Sequence, residues 1–192
     1  EAATGLTQHK SASGQSFMVV SANALATDAA YGMLNKGGSA VDASIAAQLV
    51  LGLVEPQSSG IGGGAFLISW NAEKKALVHY DGRETAPMEV DENHFMTSDG
   101  KPMSFFRAIV GGYAVGVPGV VKMLELAHER EGKLPWKALF EPAIKIAREG
   151  FAVSPRLHKL LRRIPKVAER KAITEYFFTK DGQPLPIGYK LK

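Results

Sequence analysis

The run Ala40–Leu53 constrains the fold more than any other stretch of this chain, because at helical spacing it is apolar almost all the way round. A helix of that kind has no solvated face, so it must be buried between other layers. Ser39 stands where the helix would start, and Asp42 three residues later completes a capping-box pattern. Gln48 and Gly52 interrupt the run, which is too short to cross a bilayer. It leads at once into Glu55-Pro56-Gln57-Ser58-Ser59-Gly60-Ile61-Gly62-Gly63-Gly64, a segment that suits no regular element.

The flanking patterns supply the partners of that helix. Met18–Ser21 reads as a short strand. Asn23 then caps a helix whose apolar stripe is Leu25, Ala26, Ala29, Ala30, Met33 and Leu34, and Lys36-Gly37-Gly38 ends it. After the glycine segment, Ala65–Trp70 and Ala76–Tyr80 read as two strands joined by a turn at Asn71–Lys74. Asp81–Pro87 leaves the second strand as a loop, and residues 88–106 look irregular, with a turn at Asp99-Gly100. Pro118 fits the first turn of a helix running to about Glu131 and stopped by Gly132. Pro135 opens another, through Trp136, Leu139, Phe140, Ile144 and Ile146 to Gly150; Pro142 inside it predicts a kink or two short helices. Ser154-Pro155 opens a last, basic helix limited by Pro165. Tyr176–Lys192 carries turn signals at Asp181-Gly182, Pro184 and Pro186 but no closing element. Several helices with two or three strands make an α+β chain whose strands are too few to complete a sheet core.

Composition narrows the class. With 45% hydrophobic and 22% charged residues, the 192-residue chain is an ordinary globular one, which excludes disorder. No cysteine is present, so disulfide frameworks, thiolate metal sites and cysteine nucleophiles are excluded. The net charge of +4 is concentrated between Arg148 and Lys171, where Arg148, Arg156, Lys159, Arg162, Arg163, Lys166, Arg170 and Lys171 face only Glu149 and Glu169. No aromatic residues interleave with them to stack on bases, so this is a solvated helix face and nucleic acid is not an expected partner. Residues 1–16 are small and polar and form a flexible segment. They resemble a mature amino terminus left after removal of a signal peptide, which points to a periplasmic or secreted protein.

Candidate chemistry is sparse. Gly60–Ala65 formally fits the dinucleotide pattern G-x-G-x-x-A, but that pattern needs a strand before it and a helix after it. Here a helix precedes and a strand follows, so the glycines read as sites of close backbone approach that can frame an active-site floor. Arg83, on a polar loop just after a strand, has two readings. One is a surface arginine paired with Asp81 or Glu84, worth little. The other is a clamp for a carboxylate, which the planar guanidinium matches bidentately. His9, His79, His94, His128 and His158 have no metal-ligand spacing. Asp42, Glu55, Asp81 and Glu84 are scattered acids, and Ser58-Ser59 lie in no nucleophile elbow.

Six segments in order resemble the γ-glutamyltransferase family: Val19–Asn23, Gly37–Ala43, Glu55–Gly64, Asp81–Pro87, Gly116–Gly119, and Pro142–Ile144 with Ala147–Phe151. The resemblance runs from about residue 17 to the carboxyl end, so residues 17–192 are expected to be the amino-terminal portion of such a family's large subunit. It implies an αββα four-layer sandwich of the amino-terminal-nucleophile hydrolase type, completed by residues outside this chain. It implies a precursor that cleaves itself into two subunits, with the new amino-terminal threonine of the small subunit as nucleophile. The substrate would be glutathione or a related γ-glutamyl amide, the acceptors water, amino acids or peptides, and no metal or organic cofactor would be needed. The arginine of the family's R-E-x-A-P segment is here Arg83, which the resemblance makes the grip on the substrate α-carboxylate. Nothing in the chain matches the family's threonine, so no catalytic residue is expected here and the chain alone should be inactive. The rival readings are a glutaryl-cephalosporin acylase of the same superfamily and a non-catalytic binding module. Without its full sheet, Ala40–Leu53 is expected to expose a large apolar patch and to make the isolated chain poorly soluble.

Overall fold

The computed structural model describes residues 11–163 and 170–192. Its centre is the predicted helix pair. Helix α1, Ala24–Asn35, starts at Asn23, whose side chain accepts a hydrogen bond from the Leu25 N–H. It ends in a Schellman arrangement: Gly37, at φ 83°, donates to Leu34 O and Gly38 donates to Met33 O. Helix α2, Ala40–Val54, starts with the complete Ser39/Asp42 capping box. It buries Val41, Ala43, Ile45, Ala46, Leu49, Val50 and Val54, and lies against α1, helix α4 (Val120–Glu131) and helix α5 (Trp136–Glu149). Alanines at 26, 29, 30, 43 and 46 let the two helices approach closely. The expected exposed patch is therefore not on α2.

The apolar surface lies elsewhere. Strands β1, Ala65–Asn71, and β2, Ala76–Gly82, form an antiparallel hairpin with Ile68 opposite His79 and Trp70 opposite Leu77. Its inner face sets Leu67, Val78 and Tyr80 into the core beside α4. Ser69 Oγ (2.6 Å) and Tyr80 OH (2.5 Å) both donate to the Glu131 carboxylate, fastening the hairpin to the end of α4. Its outer face presents Phe66, Ile68, Trp70 and Leu77, each more than half exposed.

The remaining elements differ from expectation in several places. Met18–Ser21 pairs with no strand among the described residues. Residues 88–104 are irregular, but a short helix α3, Phe105–Ile109, follows them. Pro118 lies outside α4, whose cap is Gly119. Helix α5 runs unbroken through Pro142, so two short helices do not form. An interior proline costs about 3 kcal/mol; the fully buried Leu139 one turn earlier anchors the helix against that loss. Strand β3, Phe151–Ala152, pairs with a closing strand β4, Lys190–Leu191, that two residues of sequence could not announce. Between them lie α6, Pro155–Leu161, capped by Ser154, and α7, Lys171–Phe177, which the basic pattern concealed. Pro165, Lys166 and Glu169 lie outside the described residues, as do His9 and the first ten residues of the amino-terminal segment. Among the described residues no helix is long and apolar enough to cross a membrane.

Candidate functional site

Three backbone segments meet at the amino-terminal end of α4. Gly63 O accepts from both Gly119 N and Val120 N at 3.1 Å, and Val117 N donates to Thr85 O at 2.9 Å, bridging Thr85 to Val117. The approach is so close that side chains have no room. A Cβ on Gly64 would lie 2.6 Å from Gly82 O, and one on Gly119 would lie 2.5 Å from the same oxygen. This is the close packing expected of the glycine segment. Helix α2 before it and β1 after it are the reverse of a dinucleotide site.

Arg83 projects from this frame, one residue past the end of β2. Its backbone N–H donates to Asp81 Oδ1 at 2.9 Å, while its Nη1 lies 3.1 Å from Glu84 Oε2. The side chain is 62% exposed, and one guanidinium nitrogen faces Glu84. Of the two sequence partners, only Glu84 reaches the guanidinium. The group can receive a carboxylate.

The other candidates lie in structural roles. Ser58 Oγ accepts from Arg156 Nη2 at 3.0 Å and so has a cation, not a base, as its partner. His79 packs at a tilt against Phe66, and His94, His128 and His158 each place a ring nitrogen within 2.8 Å of a backbone carbonyl. Asp42 is fully buried and holds the N–H groups of Ser39, Lys133 and Leu134. No group of three potential metal ligands occurs among the described residues.

Sequence reasoning undervalued one acid. Glu55, 2% exposed, accepts from Asn23 Nδ2 (2.9 Å), Gln57 Nε2 (2.5 Å) and Arg156 Nη1 (3.3 Å). It ties the cap of α1 and the start of α6 to the beginning of the glycine segment. The only signal was its position, since a glutamate directly after an all-apolar helix must either leave the core or find partners there.

Residues 26–192 match the family model described as Gamma-glutamyltranspeptidase. The chain is 36% identical over 175 residues to the glutathione hydrolase proenzyme of Bacillus subtilis (strain 168), a match covering 91% of this chain and 30% of that protein. It is similar to the crystal structure of Helicobacter pylori gamma-glutamyltranspeptidase, with a TM-score of 0.86 at 29% identity, over 95% of this chain and 52% of that one. A weaker likeness, TM-score 0.69 at 27% identity, joins it to the cephalosporin acylase of Bacillus halodurans, over 88% of this chain and 32% of that one. The chain thus spans less than a third of the Bacillus subtilis relative and about half of the Helicobacter pylori chain.

Proposed function

The chain belongs to the gamma-glutamyltranspeptidase family, and from that premise we propose that it is the substrate-gripping part of a glutathione hydrolase or γ-glutamyltransferase, with Arg83 as the clamp for the substrate α-carboxylate. The observation that carries this reading is the open guanidinium fork of Arg83, mounted on a frame of close-packed backbone. A flexible lysine would offer a point charge there; the arginine offers a plane that fixes orientation as well as charge.

In this reading the chain contributes binding and the rest of the protein contributes chemistry. A small subunit, released from the same precursor, begins with a threonine whose hydroxyl attacks the γ-carbonyl while its own α-amine takes the proton. The amine half of the substrate leaves with that proton. Water, an amino acid or a peptide then takes the γ-glutamyl group from the threonine ester. The word proenzyme in the name of the Bacillus subtilis relative supports cleavage of a precursor. The exposed apolar outer face of the hairpin supports a fold that other residues complete. We place the protein outside the cytoplasm, on the family resemblance alone; fractionation of cells expressing the full-length gene tests this.

The likeness to a cephalosporin acylase supports one rival, a glutaryl amidase. Glutaryl and γ-glutamyl groups share the carboxylate that Arg83 would hold and differ in the α-amine. Full-length protein should hydrolyse a γ-glutamyl anilide in preference to a glutaryl amide. The reverse preference would establish the acylase, and hydrolysis of neither would leave a binding module.

A further inference from the structure

Resting on the clamp reading of Arg83, we propose that Glu84 is a positioning residue that holds the Arg83 guanidinium in its receiving orientation before substrate arrives, and that Gly63, Gly64 and Gly116 form the cradle for its side chain.

The geometry around Glu84 differs from that of a surface ion pair. A Cβ on Gly64 would lie 2.5 Å from Glu84 Oε2, one on Gly63 would lie 3.2 Å from Oε1, and one on Gly116 would lie 2.8 Å from the Glu84 Cβ. Glycines from two separate segments therefore leave room for this one side chain. Oε2 is shut off from solvent and accepts no hydrogen bond, and the cation facing it is Arg83 Nη1 at 3.1 Å. A buried carboxylate oxygen loses its hydration, so it is strongly tied to the nearest positive group. The Arg83 side chain beyond that contact is 62% exposed. Glu84 thus draws the guanidinium to the frame through a charge contact at one nitrogen, while the Arg83 side chain stays largely exposed. Ordering a long side chain is a cost that binding otherwise bears. Here the fold bears it in advance, on a segment tied by the Thr85–Val117 bridge.

The test is steady-state kinetics of the full-length protein on two donors: a γ-glutamyl anilide, and a 4-aminobutyryl anilide that lacks the α-carboxylate. Glu84→Gln keeps the shape and removes the charge. Its KM for the γ-glutamyl donor should rise about five- to tenfold, with kcat changing less. For the carboxylate-free donor, kcat/KM should change by less than about twofold. An equal loss on both donors would make Glu84 a structural residue only, and an unchanged KM for the γ-glutamyl donor would also overturn the proposal. Gly63→Ala, whose Cβ would meet only Glu84 Oε1, should give the same donor dependence at smaller size, and it carries the test if Glu84→Gln does not fold. Arg83→Lys is measured alongside. If it fails to separate the donors, the clamp reading itself is wrong; if it separates them and the Glu84 and Gly63 variants do not, only the positioning role falls.

Discussion

Replacing Glu55 with alanine removes a carboxylate that is 2% exposed and holds three side chains from three parts of the chain. Breaking a buried charged pair by deleting one partner costs about 3–5 kcal/mol. Arg156 is 36% exposed on its side chain and keeps Ser58 as a partner, so water and that hydroxyl re-solvate it. Asn23 and Gln57 are only half-buried, but Gln57 Oε1 already lacks a partner, so its amide has no other anchor. These points place the expected loss at the lower end, about 3 kcal/mol. The effect should also be local. Without Glu55, the start of the glycine segment loses its tie to Asn23 at the cap of α1 and is left with the Arg156–Ser58 hydrogen bond to α6, so residues 55–64 should open more often. Hydrogen exchange of the full-length protein, followed by mass spectrometry, should then show faster exchange in peptides covering 55–64 than in peptides from the hairpin at 65–82. Glu55→Ala and Arg156→Ala together should cost less than the sum of the two singles. A Glu55→Ala protein within about 0.5 kcal/mol of the parent, with unchanged exchange at 55–64, would refute the reasoning.

Two further predictions concern the hairpin. Hydrogen bonds from Ser69 and then Tyr80 hold the Glu131 carboxyl below its usual range. A depressed carboxyl stabilises the fold above its unfolded pKa and loses that contribution as pH falls through the folded one. Urea midpoints of parent and Glu131→Gln should therefore differ fully at pH 7, with the gap narrowing as pH falls below the ordinary glutamate value of about 4.3; a gap that stays constant with pH would contradict this. Ile68 is 66% exposed on the outer apolar face of β1, so on this chain alone Ile68→Lys should be harmless. In the full-length protein the same change should sharply reduce the soluble folded yield, whereas Glu73→Lys in the turn should not. Equal yields would show that nothing covers that face.

Much of the fold was legible because local chemistry and burial agreed. Asn23, Ser39, Asp42 and the Gly37-Gly38 stop announce α1 and α2, and the structure uses each of them as a cap or a terminator. The hairpin followed from alternation, and the glycine segment from its reversed order of helix and strand. What stayed hidden depended on contacts distant in sequence. Strand β4 exists because Phe151–Ala152 offers it an edge, and Met18–Ser21 pairs with no strand among the described residues. Helix α5 survives Pro142 because Leu139 is held in the core. The site divided in the same way. Arg83 stood out by residue type and position, but two of the three Glu55 partners, Asn23 and Arg156, and the glycine cradle of Glu84 come from segments tens of residues away.

The central claim is that Arg83 grips the α-carboxylate of a γ-glutamyl substrate. The most direct test is the KM of full-length Arg83→Lys protein for a γ-glutamyl anilide, with cleavage of the precursor checked by intact mass. Charged, bidentate hydrogen bonds are worth about 1.5–3 kcal/mol, so the account predicts a KM raised about 10- to 150-fold in a normally folded protein. An unchanged KM would contradict it.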